Sequence, residues 1–231
     1  MAGGDNKTIQ SLYPFLHGKK QDPGAMNTAL LAAVEEKRVN HRAVIDGFSA
    51  DNTQAVIDAA GAIADCYRGN GRLFTMGNGG SSCDAAHVAV EFQHPVTAGR
   101  PALTAIDLSA DRTMLTAVGN DVGFDHIFTR QVIAQGRAGD ALIGLSTSGN
   151  SRNLVKAFVR AREKGLVTIG MAGMSGGEMA EIGLDHCLVV NSDSILRIQE
   201  CHVTIYHVLW DLVHTLLADD RGALATAGAA G

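Results

Sequence analysis

A glycine-rich segment followed by a histidine and a glutamate is the part of this sequence whose residue types and spacing best suit chemistry. Residues 77–82 (G-N-G-G-S-S) follow the apolar run 73–76, and His87 and Glu91 lie four residues apart in the helical stretch that comes next. Glycines after a strand let backbone N–H groups approach a ligand closely, and the first turn of a helix favours anions. Residues four apart share one helix face, so the pattern predicts a small anionic ligand within reach of an imidazole and a carboxylate.

The same two side chains have a simpler interpretation as an exposed i,i+4 pair, which is the commoner cause of this spacing on an arbitrary helix. Their place on the helix that follows the glycine-rich segment favours a role beside the ligand. On a later and mostly apolar helix, Gln199 and His207 lie eight residues apart, about two turns, and so face broadly the same side. A polar pair on an apolar helix indicates a partner for both side chains.

A second segment, residues 146–151 (S-T-S-G-N-S), follows the apolar run 142–145 and opens another helical pattern. Hydroxyl and backbone donors at a helix N-terminus can bind phosphate without a lysine. The alternative is that these residues only cap a helix and form a turn. Because two such loops follow two strands, we predict a phosphate monoester as the ligand class.

Neither loop fits a nucleotide-binding pattern. The G-x-x-x-x-G-K-[ST] spacing of a triphosphate loop is absent from the sequence. Ser82 stands where the third glycine of G-x-G-x-x-G belongs, and Asp107 lies farther downstream than the usual acidic ribose partner.

Composition excludes other classes of protein. The 231 residues have a net charge of −5 with scattered Lys and Arg, so no basic face indicates direct binding of nucleic acid. The four cysteines form no C-x-x-C pair and no signal-peptide pattern is present, which predicts a reducing, cytoplasmic location. The longest apolar stretch, 203–217, is interrupted by His207, Asp211 and His214, so no membrane span is expected.

The order of patterns predicts an α/β fold. Residues 1–25 are expected to be a flexible leader, 26–220 a single domain that begins with two helices, and 221–231 a disordered tail. Short apolar runs then alternate with helical patterns, which predicts parallel strands joined by crossover helices, and a last helix is predicted over 195–217. The predicted strands are 73–76, 102–108, 141–145, 167–171 and 187–190.

Taken in order, several motifs closely resemble those of the phosphoheptose isomerases, which belong to the sugar isomerase (SIS) domain superfamily. The motifs are G-N-G-G-S with His and Glu on the next helix, V-G-N-D-x-G-F, S-T-S-G-N-S and R-I-Q-E-x-H-x-x-x-x-H, and the resemblance covers roughly residues 26–219. It implies a five-stranded parallel sheet flanked by helices in a flavodoxin-like three-layer sandwich, and a homotetramer with active sites at subunit boundaries. It also implies conversion of sedoheptulose 7-phosphate to D-glycero-D-manno-heptose 7-phosphate in heptose biosynthesis.

The resemblance also implies a role for each matching position. Glu91 would move the carbon proton and His207 the oxygen proton. One zinc ion per subunit would be held by His87, Glu91, Gln199 and His207, as a catalytic or a structural ion. Substrate contacts would come from Asn78, Gly79, Gly80, Glu91, Asn120, Asp121, Ser146, Thr147, Ser148, Ser151 and Gln199.

Two positions depart from the family pattern. Pro95 stands where the isomerases usually have an arginine four residues after the glutamate, and Leu196 replaces an acidic residue three before the glutamine, with Asp193 or Arg100 as candidate substitutes. A different sugar phosphate is therefore an alternative substrate. Two other classes stay open: a non-catalytic SIS tetramer that binds a replication initiator, and a sugar-phosphate sensor. Retention of Glu91 and His207 favours an enzyme.

Overall fold

The computed structural model describes residues 23–220, which contain one parallel sheet of five strands in the order β2-β1-β3-β4-β5. The three central strands of this sheet are almost entirely buried, because helices cover both faces of the sheet, and the two edge strands are partly buried. The expected α/β architecture is confirmed. The strands are β1 (Leu73–Gly77), β2 (Ala105–Asp107), β3 (Ala141–Ser146), β4 (Val167–Gly173) and β5 (His186–Val190).

The helices form two layers, each with its own apolar core. Residues 48–67 of α1 pack with α2 and α7 on one face of the sheet, and α3, α4, α5 and α6 pack on the other. Short 3-10 turns occupy Phe124–His126 and Ala218–Asp220. The helices are α1 (Pro23–Arg68), α2 (Gly80–Gln93), α3 (Arg112–Asp121), α4 (Ile127–Gln135), α5 (Arg152–Glu163), α6 (Gly177–Glu181) and α7 (Ile195–Leu216).

The two helical patterns predicted before the sheet form one continuous helix, α1. No proline interrupts them after Pro23, and the amide of Asn52 donates to the carbonyl of Phe48 within the helix, so the polar residues near position 51 do not end it. The predicted leader lies outside the described residues except for 23–25, which are helical, and so does the predicted tail 221–231. None of the helices between residues 23 and 220 has the length and apolar character that a bilayer span requires.

Strand β2 is shorter than the run 102–108 from which it was predicted. It lies at the edge of the sheet and pairs with β1 over three residues only, from Ala105 to Asp107. Just before it, the backbone N–H of Leu103 donates to the carbonyl of Phe92 at the end of α2. The N–H of Leu103 is therefore bound to a helix end, while the carbonyl of the next residue, Thr104, accepts from the N–H of Leu73 in β1.

Strand order brings the two predicted ligand loops together. From β1 the chain passes to β2 on one side and then returns to β3 on the other side. The loops after β1 and β3 therefore diverge at the carboxyl edge of the sheet and leave a crevice between them, which is where open α/β sheets bind ligands. Residues 77–82 and 146–151 are these two loops.

A buried histidine should make the stability of this fold depend on pH. His202 on α7 donates from Nε2 to the carbonyl of Ala172 in β4 (3.1 Å), and burial lowers its pKa from 6.5 to about 4. In the unfolded chain the His202 ring takes up a proton near pH 6.5, whereas in the folded chain the same ring stays neutral until about pH 4. The stability contributed by the neutral ring is therefore complete above pH 6.5 and is lost as the pH falls towards 4, at about 1.4 kcal/mol per pH unit for one proton.

We expect urea unfolding of the His202→Leu variant to show a shallower fall in free energy between pH 6.5 and pH 4.5 than the unaltered chain. His94→Asn, which changes an exposed histidine, is the control and should keep the original slope. Equal slopes for the unaltered chain and His202→Leu would contradict this assignment.

Candidate active site

The two loops of the crevice are joined by a pair of amide side chains. Asn78 follows β1, Asn153 lies in the first turn of α5, and each donates from Nδ2 to the Oδ1 of the other at 2.9 Å. Gly79 between Asn78 and α2 has φ +56°, a conformation that favours glycine. The glycine-rich loop is thereby fixed beside the start of α5.

Gly80 lets α7 approach the first turn of α2. A Cβ placed on Gly80 would lie 2.5 Å from Nε2 and 2.8 Å from Oε1 of Gln199, so a side chain there would displace the glutamine. Gln199 is thus within contact distance of the glycine-rich loop.

Three of the predicted site residues converge on one point. The ligand atoms of His87 and Glu91 on α2 and of His207 on α7 all lie within 4.8 Å of one another. Nε2 of His87 is 3.1 Å from Oε1 of Glu91, and the rings of His87 and His207 meet edge to face with centroids 5.1 Å apart. The i,i+4 pair on α2 is therefore more than an exposed ion pair, because a third group from another helix completes it.

The hydrogen bond made by His207 determines which of its nitrogens is available. Its Nδ1 lies 2.8 Å from the carbonyl of Val203, one turn earlier on α7, and a carbonyl can only accept. Nδ1 therefore carries the hydrogen in the neutral ring. Nε2 keeps its lone pair, free to take a proton or to bind a metal.

Gln199 and Asp84 form a second polar contact between α2 and α7. Nε2 of the glutamine donates to Oδ2 of Asp84 at 3.0 Å, and Asp84 lies one turn before His87. Burial raises the pKa of Asp84, and the bond from Gln199 and the charge of His87 oppose that rise. The structure thus joins Gln199 to Asp84 rather than to the cluster of His87, Glu91 and His207.

The serine-rich loop after β3 has hydroxyl groups at the start of α5. Ser151 is the N-cap residue, yet its side chain makes no capping bond and lies 3.0 Å from the hydroxyl of Ser146. Ser148 accepts from the backbone N–H of Asn150, and Thr147 is half-buried in the same turn. The simple capping interpretation therefore fails for the side chain of Ser151, whose hydroxyl bonds to Ser146 beside the N-terminus of α5, where an anion would be favoured.

Asn120 and Asp121 occupy a different setting from the other predicted residues. They are the last two residues of α3, both are exposed, and Asn120 donates to Asp121 at 2.8 Å. Their contact with substrate stays a prediction.

Four residues near the cluster were not singled out from the sequence. The hydroxyl of Tyr206 lies 2.7 Å from Nδ1 of His87, and the indole of Trp210 donates to the backbone carbonyl of Glu91 at 2.9 Å. Burial, with smaller contributions from Asp84 and Glu91, raises the pKa of Tyr206 to about 12. Helix spacing offers a signal for Asp84, three residues before His87, and for Trp210, three after His207. Asn153 and Tyr206 are revealed only by contacts between elements.

The two proposed substitutes for missing family residues lie apart from each other. Arg100 packs over the ring of Trp210, 4.3 Å from its centroid, and pairs with Asp211 at 2.5 Å. The side chain of Trp210, which bonds to the backbone of Glu91, therefore links Arg100 to Glu91. Asp193 is exposed ahead of α7, and Leu196, in place of the acidic residue, is 63% exposed.

Comparison with known proteins identifies the family. The SIS domain family matches residues 39–173 of this chain. The phosphoheptose isomerase of Rhodospirillum rubrum is 46% identical over 167 residues, which make up 72% of this chain and 88% of that protein. That of Sulfurimonas denitrificans is 45% identical over 154 residues, 67% of this chain and 78% of its own. The chain belongs to the phosphoheptose isomerase family of SIS-domain proteins.

Solved structures of this family share the fold. The phosphoheptose isomerase of Neisseria gonorrhoeae has a TM-score of 0.76 and 35% identity, over 80% of this chain and 99% of the other. The Francisella tularensis protein has a TM-score of 0.77 and 33% identity, over 80% and 98%. The five-stranded SIS architecture expected from the motifs is confirmed.

The side chains of His87, Glu91 and His207 are also of the types that bind a metal ion. Two imidazoles and one carboxylate within 4.8 Å of one another are ordinary zinc ligands, and three protein ligands leave a position open. The structure thus contains a possible His/Glu metal site on α2 and α7.

The amide pair that joins the two loops should be measurable as an energetic coupling. In a double-mutant cycle of Asn78→Ala and Asn153→Ala, the double variant should lose about 1 kcal/mol less unfolding free energy than the two single losses added together, since each single change removes the same two hydrogen bonds. The measurement is urea unfolding. Asn191→Ala, an exposed asparagine beyond β5, is the control and should be additive with Asn153→Ala. Additivity of Asn78→Ala and Asn153→Ala would show that the loops are not coupled.

Proposed function

We propose that this chain isomerises sedoheptulose 7-phosphate to D-glycero-D-manno-heptose 7-phosphate, with Glu91 and His207 as the catalytic residues. The observation that carries the proposal is that ligand atoms of His87 and Glu91, on the helix that follows the glycine-rich loop, and of His207 on α7 all lie within 4.8 Å of one another. Family membership supports the substrate, since both relatives described above carry the name of this activity.

Interconversion of a ketose and an aldose requires two kinds of proton movement. A proton leaves the carbon beside the carbonyl to give an enediol, and a proton then returns to the neighbouring carbon. A second proton moves between the two oxygens. One base that acts on carbon and one group that serves both oxygens are sufficient.

Glu91 is the proposed carbon base. Its side chain is only 16% exposed, and its Oε1 is bonded to His87, so the carboxylate is held in place while the other oxygen can take the carbon proton. The bond from Trp210 to its backbone carbonyl fixes the same residue from the other side. A base held in one orientation loses little entropy when the substrate reacts.

His207 is the proposed carrier of the oxygen proton. Because Nδ1 donates to the carbonyl of Val203, Nε2 can accept a proton from one substrate oxygen and return it to the other. The neutral ring acts first as a base and then as an acid.

The phosphate is proposed to bind to Ser146, Thr147, Ser148 and Ser151 at the start of α5. Asn78, Gly79 and Gly80 lie in the loop after β1, at the same edge of the sheet, and they are proposed to contact the sugar with Asn120, Asp121 and Gln199. The N-terminal end of α5 adds unpaired N–H groups and a favourable dipole.

One zinc ion per subunit is proposed at His87, Glu91, Gln199 and His207. The bond from Nε2 of Gln199 to Asp84 leaves its Oε1 as the ligand atom. When bound, zinc would supply positive charge that stabilises the enediolate oxygen, and Glu91 would bind it through one oxygen and take the carbon proton through the other. Because Nδ1 of His207 carries a hydrogen, its Nε2 would either bind zinc or move the oxygen proton, so the proton role of His207 belongs to the site in which this nitrogen is not a ligand.

A homotetramer with sites at subunit boundaries and a cytoplasmic location complete the proposal. The side chain of His87 is 43% exposed in a single chain, which supports closure of the site by a neighbouring subunit. Pro95 and Leu196 stand where the family usually has an arginine and an acidic residue. The identity of the sugar phosphate is therefore the part of the proposal that most needs a test. The rival function as a non-catalytic initiator-binding tetramer does not require the acid and base that this site brings together.

Replacing Glu91 with Gln should lower kcat for sedoheptulose 7-phosphate about 10²–10⁴-fold, because the amide cannot take the carbon proton. Turnover of this substrate and of pentulose and hexulose phosphates is measured by chromatography, and circular dichroism checks the fold. Glu163→Gln, at an exposed carboxylate paired with Arg160, is the control and should retain activity. Near-normal turnover by Glu91→Gln rules out Glu91 as the carbon base. Faster turnover of a pentulose or hexulose phosphate by the unaltered chain would instead identify that sugar phosphate as the substrate.

Metal content tests the ligand set separately. The unaltered chain should contain about one zinc per subunit by elemental analysis, and the His87→Ala/His207→Ala double variant should lose it because only two ligands remain. His94→Ala, an exposed histidine, serves as the control. Undiminished zinc in the double variant rules out this site.

A further inference from the structure

Tyr206 makes a contact that neither the proposed acid–base roles nor the proposed ligand set uses. It precedes His207 on α7, yet its hydroxyl reaches across to Nδ1 of His87 on α2, at 2.7 Å. The ring is 2% exposed, and it packs edge-on to His87 (centroids 5.4 Å apart) and tilted against His207 (4.7 Å). A phenol fixed in this way determines the rotation of the His87 ring.

We propose that Tyr206 is a positioning residue that holds Nδ1 of His87, so that Nε2 of the same ring is presented to a divalent metal cation bound with Glu91 and His207. This inference rests on the proposed function, since it takes His87 as a ligand. It adds a residue and a task that the ligand set does not include.

The two histidines of the cluster have matching arrangements. Each uses Nδ1 for a hydrogen bond inside the protein, His207 with the carbonyl of Val203 and His87 with Tyr206, and each directs its other nitrogen into the cluster. Histidines that bind metals almost always have such a partner for the second nitrogen, which fixes the ring and raises its basicity.

The phenol differs from the carbonyl in one respect that matters here. Its hydroxyl can donate or accept, whereas the Val203 carbonyl can only accept. In the neutral ring without metal, Nε2–H donates to Oε1 of Glu91 at 3.1 Å, because a carboxylate only accepts, and the Tyr206 hydroxyl then donates to Nδ1. With metal, Nε2 needs its lone pair, so Nδ1 carries the hydrogen and donates to the phenol oxygen.

The protons balance between these two states. Nε2 releases one proton to solvent and Nδ1 takes one up, so His87 stays neutral and its ring releases no net proton. Tyr206 keeps its own hydrogen, which rotates away from Nδ1. The ring therefore keeps a hydrogen-bond partner at Nδ1 in both states, and it does not have to turn when the cation binds.

The test is the zinc affinity of the full chain, measured by competition with a chelator, for the unaltered protein, Tyr206→Phe, His87→Ala and Tyr67→Phe. Tyr67→Phe is the matched control, because it also removes a buried phenol hydroxyl, one bonded to the carbonyl of Thr104 (3.2 Å), outside the site. Binding of inorganic phosphate by calorimetry and the free energy of unfolding are measured on the same proteins. A purely structural role of Tyr206 would change these two quantities as well.

We expect Tyr206→Phe to weaken zinc binding about 10–100-fold, with phosphate binding unchanged and Tyr67→Phe equal to the unaltered chain in zinc affinity. If His87→Ala loses zinc but Tyr206→Phe binds it within two-fold of the unaltered chain, the positioning role is overturned and the ligand set stands. If His87→Ala binds zinc as well as the unaltered chain, the ligand set itself fails. A loss of phosphate binding in Tyr206→Phe in parallel with zinc would also overturn the proposal, because it would indicate general damage.

Discussion

The site depends on the close packing of α2 against α7 over one face of the sheet. Gly80 has no side chain where Gln199 approaches, Trp210 bonds to the carbonyl of Glu91, and Tyr206 reaches His87. These contacts lie along the whole length of α2, so the helix is fixed at both ends and in the middle. Polar groups on two otherwise apolar helices meet because this packing brings them into register.

The sheet and the helix pair contribute different kinds of groups to the candidate site. The carboxyl ends of β1 and β3 supply two loops whose backbone and hydroxyl groups suit an anion, and the amide pair of Asn78 and Asn153 holds these loops together. The helices α2 and α7 supply the titratable groups. Because α2 begins at the first loop and continues to Glu91, one rigid element links the glycine-rich loop to the cluster of titratable groups.

Much of this could be predicted from the sequence. The five strands were predicted within a few residues, since parallel strands buried on both faces are continuous apolar runs, and α7 was predicted to within one residue of its end. The pair His87 and Glu91 follows from helix spacing. The ends of elements were less predictable. Strand β2 is three residues long, since the N–H of Leu103 before it bonds to the end of α2, and two helical patterns form a single α1 because no proline separates them.

The sequence by itself determined the residue types, their helical faces and the order of strands and loops, because local periodicity and turn chemistry depend on near neighbours in the chain. Tertiary structure decided which of those residues meet. It placed His207 beside His87 and Glu91, joined Gln199 to Asp84, and set Tyr206 against His87, pairs that lie more than 100 residues apart. No local pattern encodes such a contact, since it depends on how two helices rotate and slide as their apolar faces pack on the same sheet.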